Sequence, residues 1–253
     1  MKMHILSGGR LRMKRSVFVP AADRNEMIDL PVSCVLLCHA QGNVLFDTGC
    51  HPDIAVDAGA RWGAAAKSMT PLMPVGDHVL TSLAAAGLTP DDIDLVVNSH
   101  LHTDHCGCNQ FFKRATCLVH ENELSTAKDP LQEGRGYFRA DWDHDLKWKT
   151  INAQHDVYGD GRVVLTPLPG HSLGTIGARV RLDRSGDYLL AADAVSIRDN
   201  LDRETIPRNT LNAELFAQSI LEIKRMEAAG TTVLCGHDDA QWQTLKTGAA
   251  FYD

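Results

Sequence analysis

The stretch SHLHTDHCG, residues 99–107, places three histidines and an aspartate within six consecutive positions. Burying such polar side chains without partners costs on the order of several kcal/mol, and the fold itself has no need of them. Neutral imidazole and carboxylate groups are, however, the ligands that zinc and similar divalent ions take in proteins. The stretch therefore predicts a metal site, and the question becomes what the rest of the chain adds to it.

Four apolar runs that are typical of strands each stop at a histidine or an aspartate. DLVVNS (94–99) ends at His100, RVVLTPLPG at His171, DYLLAA at Asp193 and TTVLCG at His237. Because strand ends cluster along one rim of a layered α/β protein, we expect seven side chains to be neighbours: His100, His102, Asp104, His105, His171, Asp193 and His237. Seven ligands exceed one tetrahedral site. With one carboxylate shared, they fit two adjacent metals.

Strand-like and helical patterns alternate along the remaining chain. PVSCVLLCH (31–39) and NVLFDTG (43–49) predict a hairpin. We find no linker, and 253 residues suit one large domain, so we predict a single domain over residues 1–253. The mixed order of elements favours a sheet-on-sheet core with helices outside. The polar, aromatic-rich stretch 129–160 predicts an excursion or a cap.

Two capping signals predict helix starts. Thr89 is followed by Pro90 and two aspartates, which is typical of the first turn of a helix. Asn212 precedes a long run whose apolar residues recur at three- and four-residue steps, as they do on the buried face of an amphipathic helix.

Composition argues against several classes of protein. The net charge is −7, and the lysines and arginines are scattered, which argues against nucleic acid as a partner. No apolar run approaches the ~18–20 residues of a membrane span, so we expect no membrane association. The stretch MKMHILSGGRLRMKRS has basic residues but no apolar segment of the signal-peptide type. We therefore expect a cytoplasmic protein.

The chain has seven cysteines, an odd number that favours reduced thiols over a disulfide framework. Cys106 and Cys108 flank Gly107 beside the histidine cluster and would be within reach of a metal. The cluster already has enough ligands, so we expect both thiols to be core residues. The same interpretation is preferred for Cys34 and Cys38.

HLHTDH (100–105), PGHS (169–172), AAD (191–193) and CGHD (235–238), in this order, resemble the metallo-β-lactamase superfamily. The resemblance implies an αββα sandwich, an α/β fold of two mixed sheets packed face to face with helices outside. Within the superfamily the chain is most similar to N-acyl-homoserine lactonases and related small-lactone hydrolases. The features that carry this closer resemblance are SGGRLR (7–12), LFDTG (45–49), RWG (61–63), VYGDG (157–161) and TGAAFYD (247–253).

The resemblance also implies a role for each ligand. The implied sets are His100, His102 and His171 for the first metal, Asp104, His105 and His237 for the second, and Asp193 bridging the two. Asp47 would orient a ligand imidazole from behind; alternatively it forms a turn before Gly49. Zinc is the default for such ligands, while manganese, iron and cobalt bind similar sites. Related lactonases are often dimers, so a homodimer is implied as well.

In the implied reaction a hydroxide between the two metals attacks the lactone carbonyl, and Asp104 would accept or pass a proton. These lactonases usually carry a tyrosine three residues after the bridging aspartate, where this chain has Ser196. Serine is too short to fill that space, so a water or another side chain such as Tyr137 would substitute, or the substrate differs. Asp104, Asp193 and Ser196 are the candidate catalytic residues. Thr103 stands where relatives often have a larger apolar residue.

These features predict a metal-dependent hydrolase of ester bonds that opens an N-acyl-homoserine lactone (quorum quenching) or a related small lactone. A thioesterase or a phosphoester hydrolase of the same superfamily is the alternative, although no obvious basic cluster is present for glutathione carboxylates or phosphates. A non-catalytic metal-binding sensor is a third hypothesis. Five large side chains would line an acyl pocket or, equally well, belong to the core or to subunit contacts: Trp62, Met69, Met73, Trp142 and Trp148.

Overall fold

The computed structural model describes residues 1–253. Its first sheet has seven strands and contains a long antiparallel strand pair at its amino-terminal end. Its strands are β1 (Lys2–Lys14), β2 (Met27–His39), β3 (Gly42–Phe46), β4 (Thr70–Pro71), β5 (Leu95–Val97), β6 (Thr116–His120) and β7 (Lys147–Ile151). They lie in the order β4-β1-β2-β3-β5-β6-β7. The pairs from β3 to β7 are parallel, so the carboxyl ends of β3 and β5 meet at one edge of the sheet.

The second sheet follows in the carboxyl-terminal part of the chain. Its strands are β8 (His155–Asp156), β9 (Val163–Pro167), β10 (Ile176–Leu182), β11 (Gly186–Ala192) and β12 (Thr232–Cys235). They lie in the order β12-β11-β10-β9-β8, and β11 pairs with β12 in parallel. Asp193 and His237, which follow these two strands, are thereby brought to the same edge.

Nine helices connect the strands. They are α1 (Arg15–Phe18), α2 (Ile54–Trp62), α3 (Val79–Ala85), α4 (Thr103–Cys106), α5 (Glu121–Lys128), α6 (Arg139–Trp142), α7 (Arg198–Asp202), α8 (Ala213–Ala228) and α9 (Asp239–Trp242). The side chain of Asn212 accepts a hydrogen bond from the backbone N–H of Leu215 and so caps α8 as expected. None of the helices combines the length and the apolar character that a bilayer crossing requires.

The two sheets pack face to face, and helices cover their outer faces. Leu37 and Phe46 of the first sheet share a buried cluster with Leu165 and Val180 of the second. On the outer face of the first sheet, side chains of α3 pack on β2, β3 and β5. On that of the second, side chains of α8 pack on β11 and β12. The expected αββα sandwich is therefore confirmed.

Two local expectations differ from the structure. The capping box at Thr89 forms, but it starts only one 3₁₀ turn, Pro90–Asp92. The chain must enter β5 three residues later, and Ile93 is already buried in the core, so no room is left for a helix. The stretch 129–160 is divided: its first part contributes short helical turns, while β7 and β8 extend the two sheets.

Candidate metal centre

Four strand ends deliver the seven candidate ligands to one edge of the sandwich. After β5 the chain passes through His100 into the single turn α4, in which the backbone N–H of His105 bonds to the carbonyl of His102 at 2.9 Å. This turn places neighbouring ligands of one short loop side by side. His171, Asp193 and His237 follow β9, β11 and β12. The structure therefore brings together all seven residues that the sequence analysis selects.

The ligand atoms fall into two groups. The first comprises His100, His102 and His171, and the second Asp104, His105 and His237; within each group the ligand atoms lie within 4.8 Å of one another. Each group has three side chains for one ion, as in open catalytic sites that keep a position for water or substrate.

Asp193 lies between the two groups. Its Oδ2 is 3.3 Å from His171 Nε2, and its Oδ1 is 2.9 Å from His237 Nε2 and 3.5 Å from His105 Nε2. The preceding residue, Ala192, has a φ of 45°, a left-handed conformation that a side-chain-bearing residue seldom adopts. Such strain is typical of functional sites, and here it aims the carboxylate at both groups.

The contacts between ring nitrogens fit a cation. His102 Nδ1 is 3.0 Å from His100 Nε2 and also 3.0 Å from His171 Nε2, and His105 Nε2 is 3.3 Å from His237 Nε2. A neutral imidazole has one donor and one acceptor nitrogen, so one proton cannot satisfy three nitrogens that face one another. A divalent ion would satisfy all three lone pairs, and the imidazole and carboxylate donor set suits it.

The protonation of the two groups differs. Burial lowers the pKa of His102 and of His171 to about 4, so both rings are neutral near pH 7 and offer a lone pair. Burial also acts on His105, but the carboxylates of Asp104 and Asp47 outweigh it and raise the pKa of that ring. The second group therefore lies in the more negatively charged surroundings.

Asp47 supports one ligand in each group. Its Oδ2 lies 2.8 Å from His105 Nδ1 and accepts a hydrogen bond from Ser99 Oγ at 2.7 Å, and Ser99 Oγ is 3.0 Å from His100 Nδ1. The backbone N–H of Ser99 donates to Oδ1 at 2.7 Å. The parallel pairing of β3 and β5 puts Asp47 and Ser99 at the same edge, and these bonds fix the orientation of both rings.

Glu123 is a buried residue of the site that sequence reasoning missed. It is fully buried on α5, and its carboxylate accepts hydrogen bonds from Leu101 N at 2.9 Å, Tyr137 Oη at 2.8 Å, Gly174 N at 3.2 Å and Ser172 Oγ. Leu101 lies between two ligands, and Ser172 follows the ligand His171. The sequence signal that could have identified Glu123 is its position on the same buried face of α5 as Ala127, where an acidic side chain is unusual.

Ser196 lies next to the cluster, but its side chain is not aimed at an open space, so its role as a catalytic residue stays a prediction that the burial of its hydroxyl disfavours. After Asp193 the chain makes one 3₁₀ turn, Asp193–Val195, and buries Ser196 completely. Its Oγ has no hydrogen-bond partner, and its carbonyl accepts from His237 N at 2.7 Å. Tyr137 does not replace the missing phenol, because its hydroxyl donates to Glu123.

The cysteines beside the cluster are held in the core. Cys106 Sγ lies 3.4 Å from the carbonyl of Leu101, and Cys108 Sγ lies 3.2 Å from that of Cys50. Burial raises the pKa of both thiols. A metal binds the thiolate rather than the thiol, so the electrostatics disfavour both sulfurs as ligands.

A cavity of about 460 Å³ opens over the ligands. Met13, Phe18, Leu30 and Met69 form apolar parts of its wall, and His102, Asp104, Asp193 and His237 line its inner end. Of the five large side chains considered for an acyl pocket, Met69 alone lines it. Trp62, Met73 and Trp142 are buried core residues, and Trp148 packs against the core.

Thr103 also faces the cavity, but its hydroxyl is occupied. It accepts a hydrogen bond from Trp62 Nε1 at 2.6 Å and donates to the buried carboxylate of Asp141, which also pairs with Arg61. These hydrogen bonds anchor the loop between His102 and Asp104 to α2 and α6.

Comparison with known proteins gives consistent results. A family model described as the metallo-beta-lactamase superfamily matches residues 27–237. The chain is 30% identical over 259 residues to N-acyl homoserine lactonase AttM of Azorhizobium caulinodans, with 100% of this chain and 98% of that protein covered. It is 28% identical over 247 residues to an N-acyl homoserine lactonase of Bacillus cereus, with coverages of 97% and 96%.

A solved structure is also similar over its full length. It is an N-acyl homoserine lactone hydrolase with the product N-hexanoyl-L-homoserine bound at its catalytic metal centre. The TM-score is 0.89 at 27% sequence identity, covering 99% of this chain and 98% of that one.

Proposed function

Because this chain belongs to the metallo-beta-lactamase superfamily, we propose that it is a metal-dependent hydrolase that opens the ring of N-acyl homoserine lactones. One observation carries the proposal: two three-residue ligand groups share the carboxylate of Asp193 at the floor of an open cavity. Full-length similarity to proteins named N-acyl homoserine lactonase supports the choice of substrate.

We propose that the site holds two divalent ions, most simply zinc, with manganese, iron or cobalt as substitutes. His100, His102 and His171 would hold one ion, Asp104, His105 and His237 the other, and Asp193 both. When bound, such a pair activates water near neutral pH and polarises an ester carbonyl. The chain itself holds the ligand rings in place through Asp47, Ser99 and the carbonyl of Pro31, to which His237 Nδ1 donates at 3.0 Å.

Asp104 is the residue we assign to proton transfer. Its side chain is partly exposed in the cavity, and its Oδ2 lies 3.6 Å from His237 Nε2 and 3.8 Å from His105 Nε2. A carboxylate in this position can take the proton that the attacking water loses and return it to the ring oxygen when the C–O bond breaks. The products are then one carboxylic acid and one hydroxyl group on a single open-chain molecule.

A substrate panel tests the proposal. The protein is stripped of metal, reloaded with Zn²⁺ or Mn²⁺, and assayed in a pH-stat on N-hexanoyl-L-homoserine lactone, an aryl ester, a thioester and a phosphate monoester. We expect acid release from the lactone that depends on the added metal and exceeds the other rates. Preferred thioester or phosphate turnover would reassign the substrate, and two bound ions without any turnover would favour a sensor.

A further inference from the structure

The segment 133–142 lies against the loop that carries four of the proposed ligands. The carbonyl of Gly136 accepts a hydrogen bond from the backbone N–H of Thr103 at 2.9 Å. Gly136 has a φ of 94°, and a Cβ added to it would lie 2.7 Å from His102 Cδ2, so this close approach of the backbone to the ring requires glycine. The ring of Tyr137 meets the same imidazole edge to face, with 4.5 Å between the centroids. The first part of the predicted excursion therefore supports the ligand loop directly.

Asp141 of this segment carries a fully buried carboxylate. It accepts hydrogen bonds from Thr103 Oγ1 at 2.5 Å and from Arg61 Nε at 2.8 Å. Arg61 also donates to the carbonyl of Ala140 at 2.9 Å. A buried ion pair adds little net stability compared with apolar side chains of similar volume. The position of this pair beside the ligand loop therefore indicates a role other than stability.

The hydrogen bonds around Thr103 can run in only one direction. The indole N–H of Trp62 can only donate, and it does so to Thr103 Oγ1 at 2.6 Å. The ionised carboxylate of Asp141 can only accept, so the single hydroxyl proton of Thr103 points to it. Thr103 is thus held by three hydrogen bonds from outside its own loop. Its two neighbours are His102 of the first ligand group and Asp104 of the second, so one held residue fixes a ligand of each group.

We propose that Asp141 and Arg61 form a positioning pair for the metal centre. They hold Thr103, and through it the adjacent ligand of each group, in the arrangement that two ions require. Neither residue lines the cavity over the ligands, and their side chains make no hydrogen bond to a proposed ligand. Their effect on the reaction therefore passes through the loop. The inference rests on the proposed function and adds these two residues to it.

A titration of the metal-free protein with Co²⁺ tests the pair, because the visible absorption of this ion depends on the number and arrangement of its ligands. Asp141→Asn keeps the shape of the side chain but turns an N–H₂ group towards Arg61 or Thr103. We expect an altered absorption band and about tenfold weaker Co²⁺ binding. Thr103→Val should cause a similar loss, and Thr103→Ser should recover most of it. Asp143→Asn, at an exposed carboxylate of the neighbouring turn, is the matched control and should leave both readouts unchanged.

Turnover of N-hexanoyl-L-homoserine lactone by the cobalt-loaded proteins gives a second readout. In Asp141→Asn we expect kcat to fall about tenfold. KM should change by less than about twofold, because the altered side chain lies outside the cavity. If Asp141 acts through Thr103, the double variant Thr103→Val/Asp141→Asn should lose no more than the worse single variant, since the two substitutions break the same contact.

Thermal unfolding of the metal-free variants shows whether each is folded. A folded Asp141→Asn protein with the absorption band and Co²⁺ affinity of the wild type would overturn the positioning pair. Losses that multiply in the double variant would overturn the route through Thr103. A wild-type protein that binds cobalt but does not hydrolyse the lactone would overturn the proposed function instead, and the titration would still decide whether the pair positions the ligands.

Discussion

The two halves of the sandwich supply ligands in different ways. The amino-terminal half places four of them in one loop of six residues, 100–105, directly after β5. The carboxyl-terminal half supplies three, His171, Asp193 and His237, each from a different strand end. The first set depends on local spacing and one helical turn, whereas the second depends on the order of β9 to β12 in the sheet. A reaction centre of this type therefore needs contacts that hold the two halves in register.

Two carboxylates make such contacts. Asp193 of the second half reaches His105 of the first, and Glu123 of the first half accepts hydrogen bonds from Ser172 and Gly174 of the second. Removing either charge should affect both halves at once, while changes within one half should stay local.

Asp193→Asn should have the largest effect. The amide keeps the size of the side chain but removes the charge shared by the two ligand groups, so we expect loss of at least one of two bound ions and a fall in kcat/KM on the order of 10³-fold or more. Metal analysis and lactone turnover measure this. Asp91→Asn, at an exposed site, is the control; a variant that keeps two ions and full turnover would contradict the bridging role.

Asp47→Asn tests how much the hydrogen bonds behind the ligand rings contribute to metal binding, because the substitution changes none of the seven proposed ligands. Asp47 has a φ of 60°, which asparagine tolerates, so the backbone is preserved while the acceptor for His105 and Ser99 is weakened. We expect metal affinity to fall by about 10–100-fold, measured by titration against a chelator. Asp53→Asn in the same half should leave affinity unchanged, and an unaltered affinity in the Asp47 variant would refute the role in orientation.

Glu123→Gln tests the other contact between the halves. The amide places an N–H₂ group among four donors, so we expect roughly a tenfold lower kcat/KM and an unfolding temperature lower by about 5–10 °C. Glu121→Gln lies on the exposed side of the same helix and is the matched control. If both variants behave alike in calorimetry and turnover, Glu123 does not join the halves.

Cys106→Ala should have the smallest effect. The thiol makes one weak contact with the carbonyl of Leu101, so we expect two ions to be retained, turnover within about twofold of wild type and a modest loss of stability. Loss of an ion in this variant would show that the sulfur is a ligand after all.

The contrast between the halves also explains what the sequence could predict. The spacing of the histidines and the aspartate in residues 100–105 is enough to predict that loop as a metal site. The positions of His171, Asp193 and His237 could be predicted because each follows an apolar run that is typical of a strand. The sandwich follows from the order of these elements. Local sequence patterns were therefore sufficient to predict the candidate ligands and the layered fold.

Other features depend on distances that no local pattern contains. The donors to Glu123 come from positions up to 51 residues away, so its role could not be predicted from its own surroundings. Ser196 occupies the expected position along the chain, yet the 3₁₀ turn before it decides that it is buried. The capping box at Thr89 was readable, but the strand that follows limits it to one turn.

The cavity walls come from segments near residues 13–30, 65–69, 132–137 and 208–211, none of which carries a proposed ligand. Apart from Gly136 and Tyr137, which contact the ligand His102, substitutions in these segments change the shape of the cavity and leave the ligands in place. Laboratory selection for new ester substrates should therefore accumulate its changes in these four segments, and a library confined to them would explore chemistry at little risk to the hydrolytic apparatus.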